Sequence, residues 1–309
     1  MKAVRIHNYG GSDVLEIENI PIPEYADDEV LIQIHATSVN PIDWKVREGL
    51  LQSRNLHTLP LTLGWDVSGV VARAGSKVKK FKPGDEVYTR PDVHRDGSYA
   101  EYIVVKDNIV DFKPKSITHL EAASLPLVGL TAWTALIKIA EIKRGQKVLI
   151  HAAAGGVGSL AVQIAKEKGC HVIGTSSAKN TGFVLNLGAN EAIDYNNQDF
   201  SEMLKDVDVV LASVGGKTLD DSWKVLKKGG ILVSIAGLPD PEKAKEYKVR
   251  SASFFVEPDV AILEQIRHFI DTGIIRPVVG AVFTLDEIRK AHDLSQSGRA
   301  RGKIVIKII

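Results

Sequence analysis

The sequence predicts an α/β chain in two parts, a small irregular β-barrel and a doubly wound parallel sheet. Three observations predict it. The first 120 residues carry short apolar or alternating runs broken by Gly, Pro, Asp and Asn. Near residue 121 the rhythm changes to alternating strand and helix patterns. A glycine-rich turn, His151 to Ser159, then stands between an apolar strand and a helix.

In chain order, the barrel strands are expected at Ala3–Ile6, Val30–Val39, Gly69–Ala74, Glu86–Tyr88 and Tyr99–Val105, with turn chemistry at Pro21-Ile22-Pro23 and Lys82-Pro83-Gly84-Asp85. Leu120 to Ile139 has helical spacing. Lys147 to Ala153 is short, apolar and β-branched, the pattern of a strand buried on both faces. A helix over Leu160–Lys166 follows, then strands at His171–Thr175, Ala192–Asp194, Val207–Ala212 and Ile231–Ala236. Beyond Pro258 come a helix at Val260–Asp271, a strand at Val278–Thr284, a helix at Leu285–Leu294 and a closing strand at Lys303–Ile309. These last pieces are too small to fold alone and are expected to return to the barrel. The division is therefore residues 1–122 and 258–309 for the barrel domain and 123–257 for the sheet domain.

The chain of 309 residues is long enough for two cores. Its 39 basic and 38 acidic side chains nearly cancel, so the balance gives no reason to expect nucleic acid or an anionic membrane as partner. A single cysteine, Cys170, builds neither an internal disulfide nor a cysteine-rich metal site and is expected to be buried and inert. No secretory or transit presequence and no apolar run of membrane-spanning length is seen, which points to a cytoplasmic protein.

The glycine turn carries the most chemistry. Against the dinucleotide fingerprint, Ala153 takes the first position, Gly155 the second and Gly158 the third, with Ala154, Gly156 and Val157 between them. Gly155 lets backbone approach a pyrophosphate, Gly158 lets helix pack on strand, and the helix N-terminus offers free N–H groups. An NAD site places an acid at the end of the second strand; here Ser176 stands there, with Lys179 close behind. Hydroxyls and an ammonium suit a 2′-phosphate, so NADPH is the expected cofactor.

A catalytic zinc needs about three His, Cys or acidic ligands. His35, His57, His94, His119, His151, His171, His268 and His292 are scattered without such spacing. Metal-free hydride transfer needs an acceptor that is already electrophilic, such as a quinone or an α,β-unsaturated carbonyl.

Residues 39–47 (VNPIDWKVR), 64–69 (GWDVSG), 81–87 (FKPGDEV), 97–102 (GSYAEY), 127–135 (LVGLTAWTA) and the closing GKIVI from Gly302 together resemble the medium-chain dehydrogenase/reductase superfamily, in its zinc-free quinone oxidoreductase and enone reductase branch. The resemblance covers essentially the whole chain. It implies a GroES-like catalytic domain and a Rossmann domain, with the active site in the cleft between them, and a homodimer. Where zinc-containing relatives hold a cysteine ligand and a His-Glu pair, this chain has Pro-Ile-Asp43 and Trp65-Asp66. By the same resemblance, Asn40 and Thr131 line the nicotinamide pocket, and Ser176, Lys179 and Tyr195 surround the 2′-phosphate. Val214, Gly215, Ala236, Gly237, Phe254 and Phe255 run past the ribose and nicotinamide, and Lys303 is placed at the cofactor. Lys45 resembles the enone reductases and shifts the expected substrate towards enones and alkenals.

The expected mechanism has Asn40 and Lys45 stabilising the oxygen that becomes negative, with solvent giving the final proton. Asn40 also suits a turn before Pro41, Asp43 either caps a helix or holds Lys45, and Tyr99 is expected to pack in the barrel. The alternatives are a zinc-dependent alcohol dehydrogenase, an enoyl thioester reductase, or a non-catalytic NADPH-binding protein of crystallin-like or RNA-binding kind.

Overall fold

A computed structural model describes residues 1–54 and 57–309. The chain folds as two compact units, residues 1–127 with 257–309, and residues 128–256.

The first unit is built around the long strand Glu29–Val39, which pairs with Lys303–Lys307, Val67–Ala74 and Tyr102–Lys106. Its side chains alternate as the pleat demands: Val30, Ile32 and Ile34 enter one core with Val67, Val71, Val87, Ile103, Val105 and Val110. The C-terminal strands do return. Val279–Thr284 lies parallel to Lys303–Lys307, which in turn lies antiparallel to Glu29–Val39. A smaller sheet joins Glu16–Asn19, Lys2–Ile6 and Leu61–Thr62. The strands Glu16–Asn19, Leu61–Thr62 and Val110–Phe112 escape a reading by pattern, because each is too short to show a period.

The second unit is a six-stranded, all-parallel sheet. Numbered by their order in this unit, its strands lie 3-2-1-4-5-6, the Rossmann arrangement. Its sixth strand, Arg250–Ser253, was not evident in the sequence because it is polar and half-exposed. The expected single helix over Leu120–Ile139 is instead broken at Pro126, whose ring disfavours helix in the residue before it. From Thr134 to Ile139 it continues as a π-helix. Among the described residues, no helix is long and apolar enough to cross a membrane.

Candidate active site

At one end of the barrel, buried polar side chains satisfy one another. Asn40 ends the long strand and opens the short helix Pro41–Arg47. Pro41 suits the first helical position, and the Asn40 N–H donates to Asp43 Oδ2 at 2.8 Å, so Asp43 caps the helix. The Asn40 side chain is therefore free to face elsewhere: its Nδ2 donates to Asp66 Oδ2 at 2.7 Å, and its Oδ1 accepts from Lys303 Nζ at 2.5 Å. Lys303 also donates to Val39 O at 3.1 Å and to Asp66 Oδ2 at 3.3 Å. All three ammonium protons are thereby committed. Asp66 collects Ser38 Oγ as well, and its second oxygen accepts from the Leu127 N–H at 2.7 Å. Asn40, Asp43 and Asp66 are wholly buried and Lys303 nearly so.

Tyr99 continues this network. Its hydroxyl donates to Asp43 Oδ2 at 2.6 Å and lies 3.2 Å from His292 Nε2, whose other ring nitrogen is 3.3 Å from Arg47 Nη1. Burial raises the Asp43 carboxyl to about 7, against the opposing pull of the Tyr99 and Asn40 hydrogen bonds. Burial, and then the Arg47 charge, lower His292 to about 3. Tyr99 sits here because Gly64, at φ +93°, leaves room for it: a Cβ at Gly64 would lie 2.5 Å from the Tyr99 ring. The motifs around Gly64 and Tyr99 are thus two sides of one packing contact. Tyr99 packs in the barrel as expected, yet its hydroxyl belongs to the site network, a role no local pattern announces.

Lys45 stands apart from Asp43. It is half-buried, with its ammonium 5.6 Å from the centre of the Trp44 ring, and among the described residues it forms no ion pair. Of the two roles open to Asp43 in the sequence, only capping is seen.

In the second unit the glycine turn follows strand Lys147–Ile150 and opens helix Gly156–Glu167. Gly155 is the N-cap and no side chain caps the helix, so its first N–H groups are left for a ligand. A Cβ on Gly158 would lie 2.3 Å from Ala152 O and 2.7 Å from Ala153 Cα, so only glycine lets the helix approach the strand end. Ala154 is buried, while Gly155, Gly156 and Val157 are partly open.

The next strand ends at Ser176, paired in register with Asp194. The Tyr195 N–H donates to Ser176 O at 3.1 Å, which sets Tyr195 beside Ser176, and both Tyr195 and Lys179 are exposed. Asp194 is an acid that the sequence did not flag near this strand end. Its carboxylate is engaged by Asn196 and Asn197 side-chain amides at 3.2 and 2.6 Å. Gly215 and Ala236 are neighbours, since a Cβ on Gly215 would lie 3.1 Å from Ala236 O. Val214 and Gly237 adjoin them at the ends of parallel strands, and Phe254 and Phe255 follow the sixth strand, half-buried. Thr131 is buried in helix Pro126–Trp133. His151 is a satisfied core residue bonded to Thr175 and Ser222, and burial lowers it to about 4. Cys170 is buried, and burial raises its thiol to about 11.

Among the described residues, one group places three metal-ligand atoms together: His7, Glu16 and Glu18, on the surface of the small sheet. Beside Asn40, by contrast, Asp66 faces the Lys303 ammonium.

Residues 26–115 match the family model described as alcohol dehydrogenase GroES-like domain, and residues 187–306 match the one described as zinc-binding dehydrogenase. The chain is 37% identical to a 2-methylene-furan-3-one reductase of Solanum lycopersicum, across 99% of this chain and 79% of that protein. It is 36% identical to a chloroplastic NADPH-dependent alkenal/one oxidoreductase of Arabidopsis thaliana, again across 99% and 79%. A solved structure of the quinone oxidoreductase from Coxiella burnetii superposes with a TM-score of 0.94 at 37% identity, covering 100% of this chain and 99% of that one.

Proposed function

Because this chain belongs to the medium-chain dehydrogenase/reductase superfamily, in its quinone oxidoreductase and enone reductase branch, we propose that it is an NADPH-dependent, zinc-independent oxidoreductase acting on a quinone or an α,β-unsaturated carbonyl. The observation that carries the reading is the uncapped helix N-terminus at Gly155–Gly158, closed by a glycine that no other residue replaces without a clash. Backbone N–H groups of Gly156 and Val157 hold the pyrophosphate, beside Ala154, Gly155 and Gly158, the Gly155 N–H being spent on Ala152 O at 2.9 Å. Ser176, Lys179 and Tyr195 take the 2′-phosphate, where two hydroxyls and an ammonium replace the acid of an NAD site. Thr131, Val214, Gly215, Ala236, Gly237, Phe254 and Phe255 flank the ribose and nicotinamide.

Bound NADPH supplies the hydride. Asn40 is the orienting amide at the nicotinamide end, and its direction is fixed by Asp66 on one side and Lys303 on the other. With Nδ2 giving one proton to Asp66, its second proton remains for a carbonyl oxygen. Lys303 serves the cofactor through Asn40, and Lys45 is a cation available to the acceptor. The proposal excludes zinc on the chemistry of the donors: Asp66 already balances an ammonium, so a second cation at that place meets repulsion. The molecule acts on a small electrophile, in the cytoplasm, as a homodimer, without membrane or nucleic acid.

The test is oxidation of NADPH and of NADH with quinones, enones and alkenals, before and after a chelator. We expect turnover with NADPH to exceed that with NADH and to survive chelation. Complete loss of activity on metal removal would reject the zinc-free part. Tight NADPH binding without turnover on any acceptor would favour a cofactor-binding protein.

A further inference from the structure

Arg90 follows the strand Glu86–Thr89, which runs antiparallel to Val67–Ala74 with Thr89 opposite Val67. One step beyond that pair, Arg90 and Asp66 take corresponding positions at the same barrel end, and Asp66 is the residue that holds Asn40. Arg90 is wholly buried, and its Nε, Nη1 and Nη2 have no hydrogen-bond partner among the described residues. A guanidinium stays charged and carries five N–H donors, so leaving all of them unmet inside a fold is costly. The acids whose charges act on it are Glu257, Asp66, Asp92 and Asp43, and none of them bonds to it. Counter-charge is therefore present at a distance, and what the guanidinium lacks is acceptors. That selects the ligand. A carbonyl oxygen meets that need: it enters without a charge of its own, brings two lone pairs to the guanidinium fork, and turns negative only as the reaction proceeds.

We propose that Arg90 is a catalytic residue that binds the carbonyl oxygen of the acceptor and stabilises the negative charge that grows there during hydride transfer. The hydride forms the new C–H bond at the conjugated carbon, and the displaced π electrons end on the oxygen that Arg90 holds. Solvent then protonates the enolate, and for a quinone the resulting keto form enolises to the hydroquinone, while NADPH becomes NADP⁺. Because the charge of Arg90 is fixed and buried before the acceptor enters, little rearrangement is needed as the oxygen turns negative. The proposal rests on the reductase reading of the same site and names the group that reads the acceptor. The same acceptor chemistry also exists in the nicotinamide carboxamide, so the test separates the two sources.

p-Nitrophenol mimics an enolate and reports its ionisation by absorbance without turnover. The NADP⁺-loaded wild-type protein should bind it with a shift towards phenolate, Arg90→Met should lose the shift, and Arg90→Lys should keep part of it. With a reducible enone, Arg90→Met should lower kcat by roughly 100- to 1000-fold, while NADPH affinity, followed by nucleotide fluorescence, changes by less than about threefold. If the Met variant does not fold, Arg90→Lys and the wild-type phenolate shift carry the test. The proposal is overturned if wild type binds the phenol without ionising it, or if the folded Met variant ionises it equally. It also fails if Arg90→Met weakens NADPH more than about tenfold while kcat at saturation is retained, for then the carbonyl belongs to the cofactor. A phenolate shift without reduction of any acceptor would reject the reductase reading and leave Arg90 in place.

Discussion

The barrel end and the glycine turn treat their polar groups in opposite ways. Around Asn40, buried groups are tied to one another, Lys303 to Asn40, Asp66 and Val39, and Tyr99 to Asp43, while the Arg90 guanidinium beside them is left unmet among the described residues. At Gly155–Gly158 the first N–H groups of the helix are left open, and the severest steric demand is the close approach at Gly158. The first region is organised by charge before any ligand arrives; the second is organised by shape and waits for a ligand to satisfy it. Damage to the first should therefore register in stability, and damage to the second should register in binding.

The largest effect should come from Asp66→Ala. It leaves the Lys303 ammonium buried without its carboxylate, a change that costs about 3–5 kcal/mol at such sites. It also releases Asn40 Nδ2 and the Leu127 N–H. Urea denaturation should show the loss. A cost below about 1 kcal/mol, typical of an exposed ion pair, would mean that the network is not held by charge.

A smaller and more selective effect is expected at the turn. Gly158→Ala drives a Cβ against Ala152 O, which is backbone and yields little, so overpacking of about 1–3 kcal/mol is expected along with weaker NADPH binding. At Gly155→Ala the nearest atom is 3.3 Å away. That variant should fold nearly as well as wild type and still bind NADPH poorly, because its methyl intrudes on the ligand. Calorimetric melting and nucleotide titration on both variants separate the roles. Equal melting losses would erase the distinction between the packing glycine and the phosphate glycine.

This contrast also explains what the sequence disclosed. The turn is local, since strand, three special positions and helix fall within about 20 residues, so spacing alone makes it readable. The barrel network draws on residues 38, 40, 43, 66, 99, 292 and 303, which only the fold brings together. Asn40 and Lys303 were visible through family resemblance, but their direct hydrogen bond was not. Asp43 had two readings, and its hydrogen bond from the Asn40 N–H, with Lys45 standing apart, decided between them. Arg90 gave no signal, because an arginine before a proline reads as a surface turn until its burial is known. The short strands around Glu16, Leu61 and Val110 were hidden for a simpler reason: two to four residues cannot display a period.

The most masked effect is a titration at the barrel end. Asp43 ionises near 3.8 when unfolded and at about 7 when folded, because burial outweighs its hydrogen bonds from Tyr99 and Asn40. Between those values the folded state keeps a proton that the unfolded chain has released. The Asp43 contribution to stability therefore falls as pH rises through that window, by at most about 1.4 kcal/mol per pH unit. His292, on the far side of Tyr99, runs the other way. Burial and Arg47 hold it near 3, so its contribution is present above the ordinary histidine range and is lost as pH falls. Because the two oppose each other, the whole-protein curve conceals both, and the informative quantity is the difference between wild type and Asp43→Asn. The amide keeps an oxygen for Tyr99 and the Asn40 N–H, and its NH₂ takes the place of Oδ1, which has no partner among the described residues. Measured by urea denaturation, the variant should be most damaging near pH 4 and progressively less so towards pH 7. A difference that stays flat across this range would mean that Asp43 does not change its proton there, and that the buried network is as indifferent to pH as the glycine turn.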